Sequence, residues 1–570
     1  MRRKLLTKIS YLALIPCILG SCQDRVNTIY LTENDPGTAT IRIYKNNNST
    51  SKNRYIAPSK VSLMHTYNSL SGILANNENV CPSVGDVNLL VIPVHLPGSE
   101  EYKTEQVRND IKEMFFGEES TRNGFVSVKE YYKESSFGKL NFSGTVTDWF
   151  DVETYTNVKS TSEITQGNTG TIVTEILRKA VDWATTSQNV DLKDYDKNND
   201  GSIDAVWLVY DHLDWYTEFE LNYSKNPNYK GDELNSAFWN FTYWDYATYP
   251  NIDNPTTSGF SWASFDMMYT AYASRNDNEV VDISDLSSIK LDSHTFIHET
   301  GHLLGLDDYY ATDDSYYHPA GSSTMMDQNI CDLDSYSKMI LGWVTPYVVY
   351  GTSEILIEKA NANDHSVIVI PSNYEEISDS VESAIKNGTI DNFTYEFNPF
   401  SEYLMIDLYT PDGLNKQDTF GDYIYGREEG ITSDGVRIYH VDSRIFKCAQ
   451  VETLQGSKLS YVDGYVWDNE FNFNANEAIL MPISNDKTEN MTFQLPAEFD
   501  YFDRIRLLEA SQFNTFDKGE YASRYTLFTP ETEDFDITKF GYQFFDSKYT
   551  YNGGQDLPFK INVKTLKGVN

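Results

Sequence analysis

Hydrophobic positions along the chain follow two rhythms, and the change falls near residue 346. Before it, continuous apolar runs alternate with segments whose apolar residues recur every three to four positions. The run 87–94 is uninterrupted, as in a strand buried on both faces. Segment 127–144 predicts a helix, a glycine stop and a strand. Segment 169–187 predicts an amphipathic helix with Ile172, Ile176, Leu177 and Ala180 on one face. Residues 205–210 and 260–269 predict further strands. Residues 292–304 predict a helix that Asp292 or Ser293 caps and Gly305 stops, and 334–343 a last helix. Beyond 346 the period is two, at 355–357, 366–370, 402–408, 435–441, 478–481 and 557–563, with 374–398 as an insertion. Helices mixed with strands, then strands alone, predict an α+β domain over 85–346 and a β-sandwich over 347–570.

The N-terminus breaks this pattern. Arg2, Arg3 and Lys4 precede an apolar run, 9–19, that is too short to span a bilayer as a permanent helix. Leu19-Gly20-Ser21-Cys22 resembles a bacterial lipoprotein box, so 1–21 read as a signal peptide and Cys22 as the lipidated residue. The protein is then expected outside the cytoplasm, held to a membrane only through that lipid, on the periplasmic or cell-surface side. Residues 22–84 are rich in Asn, Ser and Thr, with one alternating run at 38–44 and a flexible stretch at 46–53; they read as a tether or a prosegment. The net charge of −39 excludes nucleic acid and anionic membrane surfaces as partners. Cys81, Cys331 and Cys448 are an odd number, so no disulfide framework organises the mature chain.

The chemistry concentrates in the helix at 292–304. His298, Glu299 and His302 form H-E-x-x-H, which puts both imidazoles on one helical face within reach of one zinc ion. Glu299, beside the first ligand, is placed to act as general base on a zinc-bound water. Gly305 can reverse the chain and return Asp308 as a third ligand, with His318 as its rival. His294 shares the same face but lies one turn away, about 6 Å along the axis, too far for the same ion. It is expected to hold a hydrogen-bonded position instead.

The full pattern H-E-x-x-H-x-x-G-x-x-D, followed by Tyr309-Tyr310, resembles the immune inhibitor A-type secreted metallopeptidases, relatives of the metzincins with Asp as third ligand. Segments 127–144, 334–343, 402–404 and 435–442 are similar to the same family. The resemblance implies a metzincin-like zinc peptidase domain, a twisted sheet plus active-site helix, followed by a β-sandwich C-terminal region. It implies a Met-turn at Met325-Met326-Asp327, with Met326 under the zinc site, and a cleft strand at 260–269 that pairs with extended substrate. Many metzincin relatives place a Tyr after this turn as oxyanion donor; here Tyr317 and Tyr336 are the candidates. Cys81 is a candidate thiolate cap on the zinc, as in some latent metzincins. His440 reads as a packed strand residue.

Asp196, Asn198, Asp200 and Asp204 occupy positions 1, 3, 5 and 9 of an EF-hand-like loop, with Gly201 at the turn. Position twelve is Trp207 and a strand follows, so the segment is either a calcium loop or an ion-free Asx turn. Together these readings predict a monomeric zinc endopeptidase acting on protein or peptide substrates. The second reading is a surface lipoprotein binding module with a vestigial zinc site.

Overall fold

The computed structural model describes residues 37–45, 53–63, 79–118, 124–226, 237–269, 286–287, 289–311, 317–361, 364–372, 377–389, 398–420, 430–453, 456–461, 479–482, 503–540, 557 and 559–568. The expected signal peptide, Cys22 and most of the 46–53 stretch lie outside them. Contacts join Pro36–Val569 into one compact unit. None of the described helices is long and apolar enough to cross a membrane.

Two strands open the described chain, β1 (Thr38–Tyr44) and β2 (Tyr55–Ile56). The next six build one sheet: β3 (Gly85–His95), β4 (Leu140–Val146), β5 (Phe150–Asp151), β6 (Val206–Tyr210), β7 (Phe241–Trp244) and β8 (Gly259–Ser264). Its order is β4-β3-β6-β8-β7, with β5 also paired to β3. All neighbours run parallel except β7, which is antiparallel to β8. Parallel strands need covering on both faces, which explains the unbroken apolar run in β3. Alternate residues of that run serve different cores. Leu89 and Val91 pack with α1 (Glu105–Phe116) and α2 (Val128–Ser135) through Val107, Ile111, Tyr131 and Tyr132. Leu90, Ile92 and Val94 pack with α3 (Thr169–Gln188) through Ile176, Leu177 and Ala180. The metal-motif helix α4 (His294–Leu303) joins the first of these cores through Phe296 and Ile297.

The structure corrects the strand expected at 260–269. It ends at Ser264, and β6 and β8 pair on one side while β7 takes the other, so β8 has no free edge. The edge strand is β7, only four residues long and too short to stand out by periodicity.

Ten strands follow: β9 (Tyr347–Val349), β10 (Ser353–Glu358), β11 (Val367–Pro371), β12 (Glu402–Tyr409), β13 (Gly435–Asp442), β14 (Ile445–Thr453), β15 (Gly456–Tyr461), β16 (Ile479–Pro482), β17 (Ile505–Leu508) and β18 (Lys560–Lys567). They form a six-stranded sheet β17-β13-β12-β11-β9-β2 and a three-stranded sheet β10-β1-β18, with β15-β14-β16 as a third. The first two share a core in which Ala39, Ile41 and Ile43 meet Ile368, Ile370, Leu404 and Ile406. The opposite face of the six-stranded sheet presents Tyr403, Met405, Tyr439, Val441, Ile505 and Leu507, which join the core around α4. Every residue of β12 and β13 is therefore buried.

The segment expected to be a tether or prosegment contributes structure. β1 is the central strand of its sheet, antiparallel to both neighbours, and β2 extends the six-stranded sheet beside β9. The alternation of Thr and Arg with Ala and Ile in 38–44 is that of a strand with one buried face. Within the expected insertion at 374–398, the described part contains a helix, Asp379–Asn387, that Ser378 caps.

Candidate metal centre

Helix α4 carries its chemistry between two fixed ends. At its start Asp292 Oδ1 accepts from the His294 amide at 2.9 Å and lies 2.6 Å from His294 Nδ1. At its end Gly305 adopts φ +89°, the left-handed conformation that glycine takes without a Cβ penalty. Gly305 N–H bonds His302 O and Leu306 N–H bonds Gly301 O, closing the turn that returns the chain. Asp308 comes back to the helix: its Oδ1 lies 2.9 Å from His298 Nε2 and 3.4 Å from His302 Nε2, and the two Nε2 atoms are 3.1 Å apart.

Three donors in a tetrahedral shell at about 2.0–2.1 Å from one ion would stand about 3.3 Å apart, so this triangle has the size of a metal site. The tautomers agree. His298 Nδ1 donates to the Met325 carbonyl and His302 Nδ1 to the Leu306 carbonyl, each at 2.9 Å, which leaves both Nε2 lone pairs directed at the common point. Burial by itself would push the His302 imidazole down, but the Asp308 carboxylate raises it to about 10. Burial likewise opposes the Asp308 charge, yet the two imidazoles hold that carboxyl well below its usual range. A cluster that favours a cationic His302 and an ionised Asp308 carboxylate is one in which a metal cation can replace the proton. Among the described residues, His298, His302 and Asp308 are the group whose ligand atoms converge in this way.

The floor of the site is α5 (Met325–Gln328). A Cβ at Gly301 would meet Met326 Sδ at 2.6 Å, so the thioether lies directly against the bare glycine of α4. Tyr309 N–H bonds the Met326 carbonyl at 2.8 Å and ties the Asp308 loop to the same floor. Glu299 is buried, and its Oε2 accepts from the Thr242 hydroxyl on β7 at 2.8 Å. Tyr310 hydrogen-bonds Asp308; that charge, then burial, pushes its hydroxyl far above the usual phenol range and keeps it a donor.

Residues 94–330 match the family model of the immune inhibitor A peptidase M6 catalytic domain. The chain carries an immune inhibitor A-type metallopeptidase domain. The matched span of this peptidase domain begins within β3, ends just past α5 and contains all three metal-cluster residues, Glu299, Thr242 and Met326. No curated protein matches the chain.

Several alternative candidates stand away from the cluster, and His294 and His440 take the hydrogen-bonded and packed positions expected of them. His318 Nδ1 pairs with Asp327 Oδ1 at 2.7 Å and is not part of the converging group. Tyr317 donates to Asp503 at 2.8 Å, and Tyr336 is buried beside Ser443. His294 bridges Asp292 and Asp418 and stacks on Phe125. His440 pairs with Glu402 inside the β12–β13 ladder. Cys81 packs in the core with its amide on Leu303 O, and burial pushes its thiol well up, so it is no thiolate cap. The Cys448 side chain lies outside the described residues.

The EF-hand-like loop closes on itself. Asp196 accepts from Asp200 N and Gly201 N, Asp200 from Ser202 N, and Asp204 from Lys197 N. Asn198 spans the turn to Asp200. Among the described residues, Asp196, Asp200 and Asp204 are not a converging group of metal-binding side chains, so the calcium expectation finds no support here, and the bonds present are those of an Asx turn.

Three residues escaped sequence reasoning. Tyr310 was visible as a neighbour of Asp308. Thr242, a small hydroxyl in an aromatic strand, left no signal. Nor did Arg504, a buried residue just before β17 whose guanidinium pairs with Asp307.

Proposed function

We propose that the chain is a zinc-dependent endopeptidase in which His298 Nε2, His302 Nε2 and Asp308 hold the ion and Glu299 is the general base. The observation that carries this reading is the triangle of three donors with Glu299 on the adjoining position of the same helix. Bound zinc would supply Lewis acidity to the scissile carbonyl and lower the pKa of a water toward ~7. Glu299 takes the proton of that water on its carboxylate and delivers it to the departing amine. Tyr310, a neutral donor against Asp308, replaces Tyr317 and Tyr336 as the hydroxyl for the developing oxyanion. The outer edge of β7 has no strand partner among the described residues and offers an extended peptide a ladder beside Glu299. A metzincin-like arrangement of the peptidase domain and a sandwich arrangement of the C-terminal sheets belong to the same reading. The leader and the Cys22 motif support protein substrates outside the cytoplasm.

The test is mutational. Glu299→Ala is expected to keep zinc at one per chain and lose casein cleavage by at least about 100-fold, whereas His302→Ala loses both. A Glu299→Ala protein that still digests casein sinks the assignment.

A further inference from the structure

We propose that Thr242 is a positioning residue for Glu299, fixing which carboxylate oxygen takes the proton. The proposal rests on the peptidase reading above. Thr242 lies near the middle of β7, directly opposite Ser261 of β8, and its half-buried side chain faces α4. Its Oγ1 stands 2.8 Å from Glu299 Oε2, 3.0 Å from the Glu299 carbonyl and 2.8 Å from Ser261 Oγ. Ser261 Oγ is itself 3.4 Å from the Glu299 carbonyl.

The protons can be assigned. The carbonyl and the carboxylate only accept, so the two hydroxyls supply both donors. The Thr242 proton goes to Oε2, where the acceptor is charged and the bond strongest. The Ser261 proton goes to the Glu299 carbonyl or to Thr242 Oγ1. Among the described residues no other side chain hydrogen-bonds the Glu299 carboxylate, which leaves Oε1 open.

This division suits a base that must also act as an acid. When Oε1 receives a proton, Oε2 keeps its lone pairs and the Thr242 bond persists. The carboxyl therefore holds one orientation through both of its protonation states, and Oε1 delivers the proton from the place where it was received. Thr242 also belongs to the free edge strand, so the segment that would pair with substrate and the group that orients the base are one.

The side chain does not take part in that pairing, which separates turnover from binding. Thr242→Val keeps shape and strand preference and removes only the hydroxyl. It is expected to lower kcat about 10- to 100-fold with KM within about twofold. Thr242→Ser restores the donor and is expected to stay within about threefold of wild type. Thr242→Ala provides the same deletion should valine crowd Ser261. Both deletions are expected to retain full zinc. In crystals, Glu299 should occupy one rotamer in the wild type and the serine variant, and several in the valine or alanine variant. Undiminished kcat in the deletions, equal losses in serine and valine variants, loss of zinc, or an ordered Glu299 in all of them overturns the proposal. Glu299→Ala run alongside separates the failures. If it is inactive while Thr242→Val is fully active, only the positioning role falls; if it is active, the peptidase assignment falls and the positioning role with it.

Discussion

Asp204 shows how a single carboxyl records its surroundings. Burial raises it, the Lys197 amide offsets part of this, and Asp200 and Asp196 add to it, for a value of about 7. An unfolded Asp titrates near ~3.9, so between those values the folded chain holds a proton that the unfolded chain has released. Stability is therefore lost as pH rises from about 4 through about 7. Asp204→Asn, whose side-chain oxygen can still accept from Lys197, is expected to melt higher than wild type at pH 8 and alike near pH 4. Melting curves across that range decide it, and equal melting temperatures at pH 8 refute it. The same scale separates what the sequence revealed from what it hid. His298, His302 and Asp308 are set by helical period and one glycine, both local, so their meeting was legible. Thr242 and Arg504 reach the site across the sheet and from the C-terminal region, and a local pattern carries no trace of such approaches.

Among the elements, α4 is held by partners distant in sequence. His294 at its first turn bridges Asp292 and Asp418, and Asp418 also accepts from the Cys331 amide beside the Met326 floor. Burial would neutralise His294, but Asp418 and Asp292 more than reverse this and raise it. Asp418 starts no motif of its own; it lies in the helix Leu414–Phe420 that follows β12. Removing one member of a buried charged set costs about 3–5 kcal/mol. Asp418→Ala is expected to lower unfolding stability by about that amount in urea titrations, and a loss below about 1 kcal/mol would contradict the role. The helix itself was legible from its period and glycine stop. The strand beside it was misplaced because β8, fully buried and aromatic, has the stronger apolar signal. The four residues of β7 are too few to show a period, yet they form the edge.

At the scale of the molecule, the change of rhythm near 346 marks topology but not the boundary of a core. Tyr403, Met405, Tyr439, Val441, Ile505 and Leu507 lie beyond it and pack in the core of α4, while Arg504 pairs with Asp307 next to Asp308. Fully burying such a side chain contributes about 1.5–3 kcal/mol, against a net stability of about 5–15 kcal/mol for a typical domain. A fragment spanning 85–346 is expected to show no cooperative melt and no stoichiometric zinc, where a sharp transition would count against a shared core. β1 adds a constraint in time. The Thr565 hydroxyl donates to Thr40 at 2.8 Å, 525 positions away, across the pairing of the last described strand with the first. At about 5–20 residues per second of synthesis, β1 waits roughly half a minute to two minutes for that neighbour. A ribosome stalled anywhere before β18 leaves a chain with this clasp open, so the finished sheet certifies that translation has passed β18.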